Sequence, residues 1–211
     1  MARNAGTPVS SGNPCPFLRA LVAQGSLADD IEPLPKVAAV IVDTARAGEG
    51  EPALPTAAIR AIGLIANGLG PLSIARTLRQ GLRLNALRGG PLDKKGVGSG
   101  ILDGYGNVSA KELAGLGEFA RSKHAADGAV EPGLGLPELR AYMDVNFARA
   151  AGRRRRADRA LMIGEWPVLL KVMGRDGPDG RYLSLSEVQA LFKQRKLPQR
   201  MLRQPAPGSR P

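Results

Sequence analysis

Apolar positions recur along this chain at intervals of three and four, and proline or glycine marks nearly every place where the pattern stops. That period belongs to helices that bury one face. The segment "CPFLRALVAQG" predicts a helix opening at Cys15 or Pro16, with Phe17, Leu18, Leu21 and Val22 on one side and Gly25 as its stop. Proline suits the first helical position, where its missing N–H costs nothing. "PKVAAVIVDTARAG" and "PTAAIRAIGLIANG" open on proline, close on glycine and read as buried helices, although "VAAVIV" alone fits a strand. A longer helix follows in "PLSIARTLRQGLRLNAL", with Leu72, Ala75, Leu78 and Leu82 facing in and arginines facing out.

The glycine-dense stretch from 88 to 107 must be loop. The helical pattern returns in "SAKELAGLGEFARSKH", in "LPELRAYMDVNFARAAG" and in "RALMIGEWPVLLKVMG". In the last, Met162, Trp166, Leu169, Leu170 and Met173 keep helical spacing, and Pro167 marks a kink or a new start. A final helix is expected in "LSLSEVQALFKQRKL". The expected fold is all-α, a single-domain bundle of about eight helices over residues 13–200, with disordered segments at 1–12 and 201–211.

Composition agrees with helices. Aromatic residues make up only 4% of the 211 while apolar residues make up 43%, so the core must come from Ala, Leu, Val and Ile. A single cysteine excludes an internal disulfide and a multi-cysteine zinc site. Without a signal-peptide core or a stretch long enough to span a bilayer, the expected location is the cytoplasm. The net charge of +11 admits nucleic acid or an anionic membrane surface as a partner. The clusters "GRRRRADR" and "KQRKLPQRMLR", however, carry no interleaved aromatics for base stacking and read as solvated faces.

Candidate chemistry centres on the lone thiol. A cysteine at a helix N-terminus faces unpaired N–H groups and the positive end of the helix dipole, both of which favour thiolate. That suits a metal ligand or a nucleophile; the plainer alternative is a small buried hydrophobe. The one histidine, His124, lies in the polar stretch "RSKHAADG", so a Cys–His pair is not expected.

"NPCPFLRALVAQGSL" resembles the N-terminal motif of the heme-thiolate peroxidases, the chloroperoxidase and unspecific peroxygenase family, in which Pro-Cys-Pro opens a helix and the cysteine binds heme iron. "PLDKKGV", "LGLPELRAYMDVNFARA", "IGEWPVLLKVMG" and "EVQALFKQRKLP" resemble later family segments in the same order, so the resemblance touches most of residues 13 to 198. It implies heme b as cofactor, with Cys15, flanked by Pro14 and Pro16, as proximal iron ligand. It also implies Glu165 as distal acid–base residue, and hydrogen peroxide with a small organic molecule or halide as substrates. A thiolate ligand favours O–O cleavage, and one carboxylate can move both protons if apolar neighbours such as Met162, Trp166 and Leu169 tune it. The family's acidic motif has no counterpart in "KGVGSGILDG", where the first carboxylate is Asp103, so a divalent cation is not carried over. Arg159 is a candidate charge stabiliser in place of the family's distal histidine.

"ILDGYGNVSAKEL" and "DGPDGRYLSLSEV" also have the outline of EF-hand loops but too few oxygens for calcium. Capping boxes, Ser109 with Glu112 and Ser184 with Glu187, are the simpler expectation. The C-terminal stretch from "GEWPVLLKVMG" also resembles caleosins, without their histidines or apolar hairpin. The leading expectation is therefore a heme-thiolate peroxidase or peroxygenase. The alternatives are a non-catalytic heme-binding or scaffold protein of that fold, and a basic module for nucleic acid or anionic lipid.

Overall fold

Proline and glycine punctuate the helices as the pattern requires. In the computed structural model, which describes residues 8–48, 55–93, 98–152 and 158–202, four of the eight α-helices carry proline in their first turn. The helices are α1 (Pro16–Ala23), α2 (Leu34–Ala47), α3 (Thr56–Ala66), α4 (Pro71–Gln80), α5 (Ala110–Gly117), α6 (Leu136–Arg149), α7 (Asp158–Met173) and α8 (Leu185–Gln194). The run "VAAVIV" is helical, inside α2. Pro167 neither ends nor restarts α7, which continues through it with one ladder donor missing. The arginines 153 to 156, residues 1–7 and 203–211, and the side chain of Met162 lie outside the described residues.

The all-α expectation holds for the bulk of the chain and fails in two small antiparallel sheets. In the first, β1 (Ile31–Glu32) pairs with β2 (Leu82–Arg83). The helix expected through residue 87 therefore stops at Gln80. Gly81, with φ 112°, breaks it, and a Cβ there would lie 2.5 Å from the Glu32 carbonyl oxygen, so only glycine lets the chain turn this close to β1. The second sheet orders β3 (Arg121–His124), β4 (Val130–Gly135) and β5 (Tyr182–Ser184), with β4 central and Leu134 opposite Leu183. Residues 121 to 124, expected as helix, are thus strand. β4 runs directly into α6 and β5 into α8, so the C-terminal half repeats one strand–helix unit about an antiparallel pair.

The core is continuous from α1 to the 3-10 turn at 199–202. α2 packs on α3 and on that turn, α6 on α7, and α8 on β4 and α1. In the C-terminal half an aromatic series tightens the packing: Phe119 meets Tyr142 edge-on at 5.4 Å, Tyr142 meets Trp166 edge-on at 5.5 Å, and Trp166 lies 6.3 Å from Phe192. One expectation for α4 is reversed. Leu82 is buried, in β2, but Leu72 and Leu78 are 83% and 63% exposed and Ala75 is exposed as well; Thr77 is the residue that faces in. A period of three to four says which side chains share a face, and among the described residues α4 packs mainly on α3 and β2. Of the two expected capping boxes, Ser109 accepts from the Glu112 N–H, while Ser184 gives its hydroxyl to Glu131 and Glu187 pairs with Arg200.

The ordered fold also starts earlier than residue 13. The Ser10 N–H donates to Asp29, and Gly12 accepts from the Arg88 N–H.

Candidate functional site

Cys15 is the N-cap of α1, in extended conformation at φ −85° and ψ 115°, half-buried, with Pro16 beginning the helix behind it. Its N–H donates to the side chain of Asn13, which is fully buried. Its carbonyl accepts the first helical bond, from the Arg19 N–H. The segment in front of the thiol is held from several sides. Arg19, one turn into α1 and only 3% exposed, donates to the carbonyls of Ser10 at 2.8 Å, Asn13 at 3.1 Å and Gly106 at 3.2 Å. Burial lowers the pKa of this guanidinium, and the positive charges of Arg195 and Arg88 add to that, against Asp29. At Gly12 a Cβ would overlap the Asn85 carbonyl, so this segment lies flat against residues 85 to 88.

Gly106 completes the bracket from the far side of the chain. Asp103 builds its loop by accepting from the N–H groups of Asn107 and Tyr105 and from the Asn107 side chain, and those bonds, the Asn107 N–H first, hold the Asp103 carboxyl below the usual carboxylate range. The loop thus aims the Gly106 carbonyl at Arg19. Gly106 sits at φ 78°, and a Cβ on it would come within 2.9 Å of the guanidinium.

Behind Cys15 opens a cavity of about 310 Å³, inside the size range of small-molecule sites. Its walls are apolar, from Leu18 of α1, Leu34, Val37 and Ile41 of α2, and Ile59 and Ile62 of α3. Among the described residues its lining includes three ionisable ones, Cys15, Asp93 and Glu165. Ile62 and Glu165 are its exposed lining residues and so mark its mouth. Pro14 lines it beside the cysteine, whereas Pro16 is buried in α1.

Cys15 and Glu165, 150 positions apart, therefore face one space. The surroundings of Glu165 differ from expectation. Trp166 turns away into the aromatic core, since successive helical residues point about 100° apart, and Leu169 is buried without lining the cavity. The apolar wall facing Glu165 comes from α2 and α3 instead. Arg159 is not at the cavity; it pairs with Asp144 and lies over the Phe147 ring, 4.7 Å from its centre. His124 is exposed on β3, 3.5 Å from Asp179. Asp103 likewise serves its own loop.

The sequence reading passed over Asp93. It is 8% exposed, lines the cavity, and accepts from the Gly89 N–H at 2.6 Å. The available signal was its position just after "RGGPL", where a carboxylate can close a glycine turn on itself. Among the described residues no group of three or more His, Cys, Asp or Glu could hold a metal ion between them. No helix among the described residues is long and apolar enough to cross a membrane. No protein-family model, curated protein or solved structure matches the chain.

Proposed function

We propose that the chain is a heme-thiolate peroxidase or peroxygenase, oxidising a small organic molecule or halide at the expense of hydrogen peroxide. The observation that carries this reading is the meeting of Cys15 and Glu165 at one apolar cavity, the two residues that the family resemblance singles out for opposite faces of the heme. The donor set fits that group. Cys15 at the N-terminus of α1 would supply one soft ligand, and the hydrocarbon walls would take the apolar part of the group.

When bound, heme supplies the iron centre at which peroxide is activated. The protein contributes the rest. The dipole of α1 and its free N–H groups favour the Cys15 thiolate, and the bracket around Arg19 fixes the segment that presents it. The walls from α2 and α3 keep water away. With heme in place, Glu165 would be the carboxylate on the lining positioned to move a proton between the oxygens of hydrogen peroxide.

The test is the absorption spectrum of the purified protein with hemin, reduced under carbon monoxide. The expected result is a strongly red-shifted Soret band, lost in Cys15→Ser and kept in Glu165→Gln, with peroxide turnover lost in both. Absence of the shift overturns the reading. A thiolate spectrum without turnover in the unmodified protein assigns the non-catalytic heme-binding alternative, in line with the missing acidic motif.

A further inference from the structure

Helix α4 leaves its apolar side chains in solvent. Leu72 and Leu78 on it are 83% and 63% exposed, Leu69 just before it is 65% exposed, and Ile62 on the neighbouring α3 is 41% exposed. Scattered exposed leucines need no explanation, but here Leu72, Ala75 and Leu78, spaced three apart, form a stripe along one side of a helix. The charge carried by this stretch of chain is equally one-sided, the exposed carboxylate beside Ile62 being Glu165 of α7. Residues 55 to 92 contain five arginines, at 60, 76, 79, 83 and 88, and no aspartate or glutamate. Four of them, Arg60, Arg76, Arg79 and Arg83, are exposed.

Three occupants could cover such a face, and its composition chooses among them. Nucleic acid would use the arginines and leave the leucines in water. A second copy related by a two-fold axis would bring arginines against arginines, with no carboxylate in the hairpin to meet them. An anionic bilayer uses both sets, because leucines enter the headgroup boundary while arginines meet lipid phosphates.

We propose that the α3–α4 hairpin docks this protein reversibly on the surface of an anionic bilayer, with Leu69, Leu72 and Leu78 inserted and Arg76, Arg79 and Arg83 on phosphates. Ile62 belongs to this hairpin and also to the mouth of the cavity, so docking brings the apolar cavity to the lipid. The inference is independent of heme.

The experiment is co-sedimentation of the full chain with vesicles of phosphatidylcholine alone or mixed with phosphatidylglycerol, at low and high salt. Binding to the mixed vesicles should be tighter by roughly tenfold or more and weaken with salt. Leu72→Ser with Leu78→Ser, and separately Arg76→Gln with Arg79→Gln, should each weaken it by about tenfold. All four positions are exposed, so circular dichroism should find the fold intact. Equal binding to both vesicle types, or variants that bind like the parent, overturns the proposal. So does a dimer by light scattering that the leucine variant dissociates, which assigns the face to a second copy. Tighter binding to duplex DNA or RNA than to vesicles, unchanged by the leucine variant, also overturns it.

Discussion

Helices α4 and α8 have the same length of ten residues, yet α8 buries Val188, Leu191 and Phe192 while α4 buries Thr77. Each shows apolar residues at helical spacing. The difference lies in what the chain supplies as a partner: α8 lies over β4 and α1, whereas the main partners of α4 among the described residues are α3 and the end of β2. The contrast extends to the halves that hold them. In the C-terminal half Glu131 accepts from Arg175 at 2.6 Å and from the Tyr182 and Ser184 hydroxyls, tying β4 to β5 and to the segment before it. Glu138 accepts from Lys123 and from the Gly135 N–H, fastening the start of α6 to β3; these bonds outweigh burial and hold its carboxyl below the usual range. In the N-terminal half several side-chain bonds converge on the Cys15 segment, and the hairpin is joined to β2 through the Asn67 side chain while its leucines stay exposed.

The strongest test of that contrast is Leu139→Ala in α6. The side chain is fully buried, and its loss should cost about 3 kcal/mol, read from urea unfolding. A cost under 1 kcal/mol would mean that the C-terminal half is no tighter than the hairpin.

Next comes the network at Glu131. Glu131→Gln should cost about 2 kcal/mol, since a charged acceptor of three side-chain bonds is lost and Arg175 is left without its nearest carboxylate. The same site sets an alkaline limit. Burial first, and then the bond to Glu131, push the Tyr182 hydroxyl up to about 12, from an ordinary value near 10. A raised folded value means that the native state holds the proton longer. The stabilisation is whole below pH about 10 and disappears as pH rises towards about 12. Tyr182→Phe should therefore flatten the fall in urea midpoint between pH 9 and pH 11 relative to the parent, measured side by side. Equal slopes would remove this tyrosine from the account.

The smallest effect belongs to α4. Leu78→Ala should change stability by no more than about 0.5 kcal/mol, because the side chain is already in solvent. A cost above 1 kcal/mol would mean that the face is covered within the isolated molecule and that the two helices are alike after all.

Helix boundaries were legible where proline and glycine stand at them, as at the starts Pro16 and Pro71 and the stop at Gly25, because those residues act locally. The strands were not. "RSKH" and "VEPGLG" lack β-branched alternation and Pro132 sits inside the second; the two pair locally as a hairpin, and the second also pairs with "YLS" some fifty residues later. The facing of α4 was misread for the same reason: a period reports a face and stays silent about whether anything covers it. Cys15 and Glu165 were singled out by the resemblance, and the cavity that both line is a product of folding. Asp93 escaped because a carboxylate that closes its own turn, here on the Gly89 N–H, gives no local sign that it also lines a cavity built from distant elements.

The bracket on Arg19 has a consequence for the order of events during synthesis. The Gly106 carbonyl that completes it lies 87 residues further along the chain. At about 5–20 residues per second, the Cys15 segment spends roughly 4–17 s already translated before its last anchor has even been made. A newborn chain thus offers its thiol on an unfastened leader, and the finished protein offers the same thiol on a clamped one.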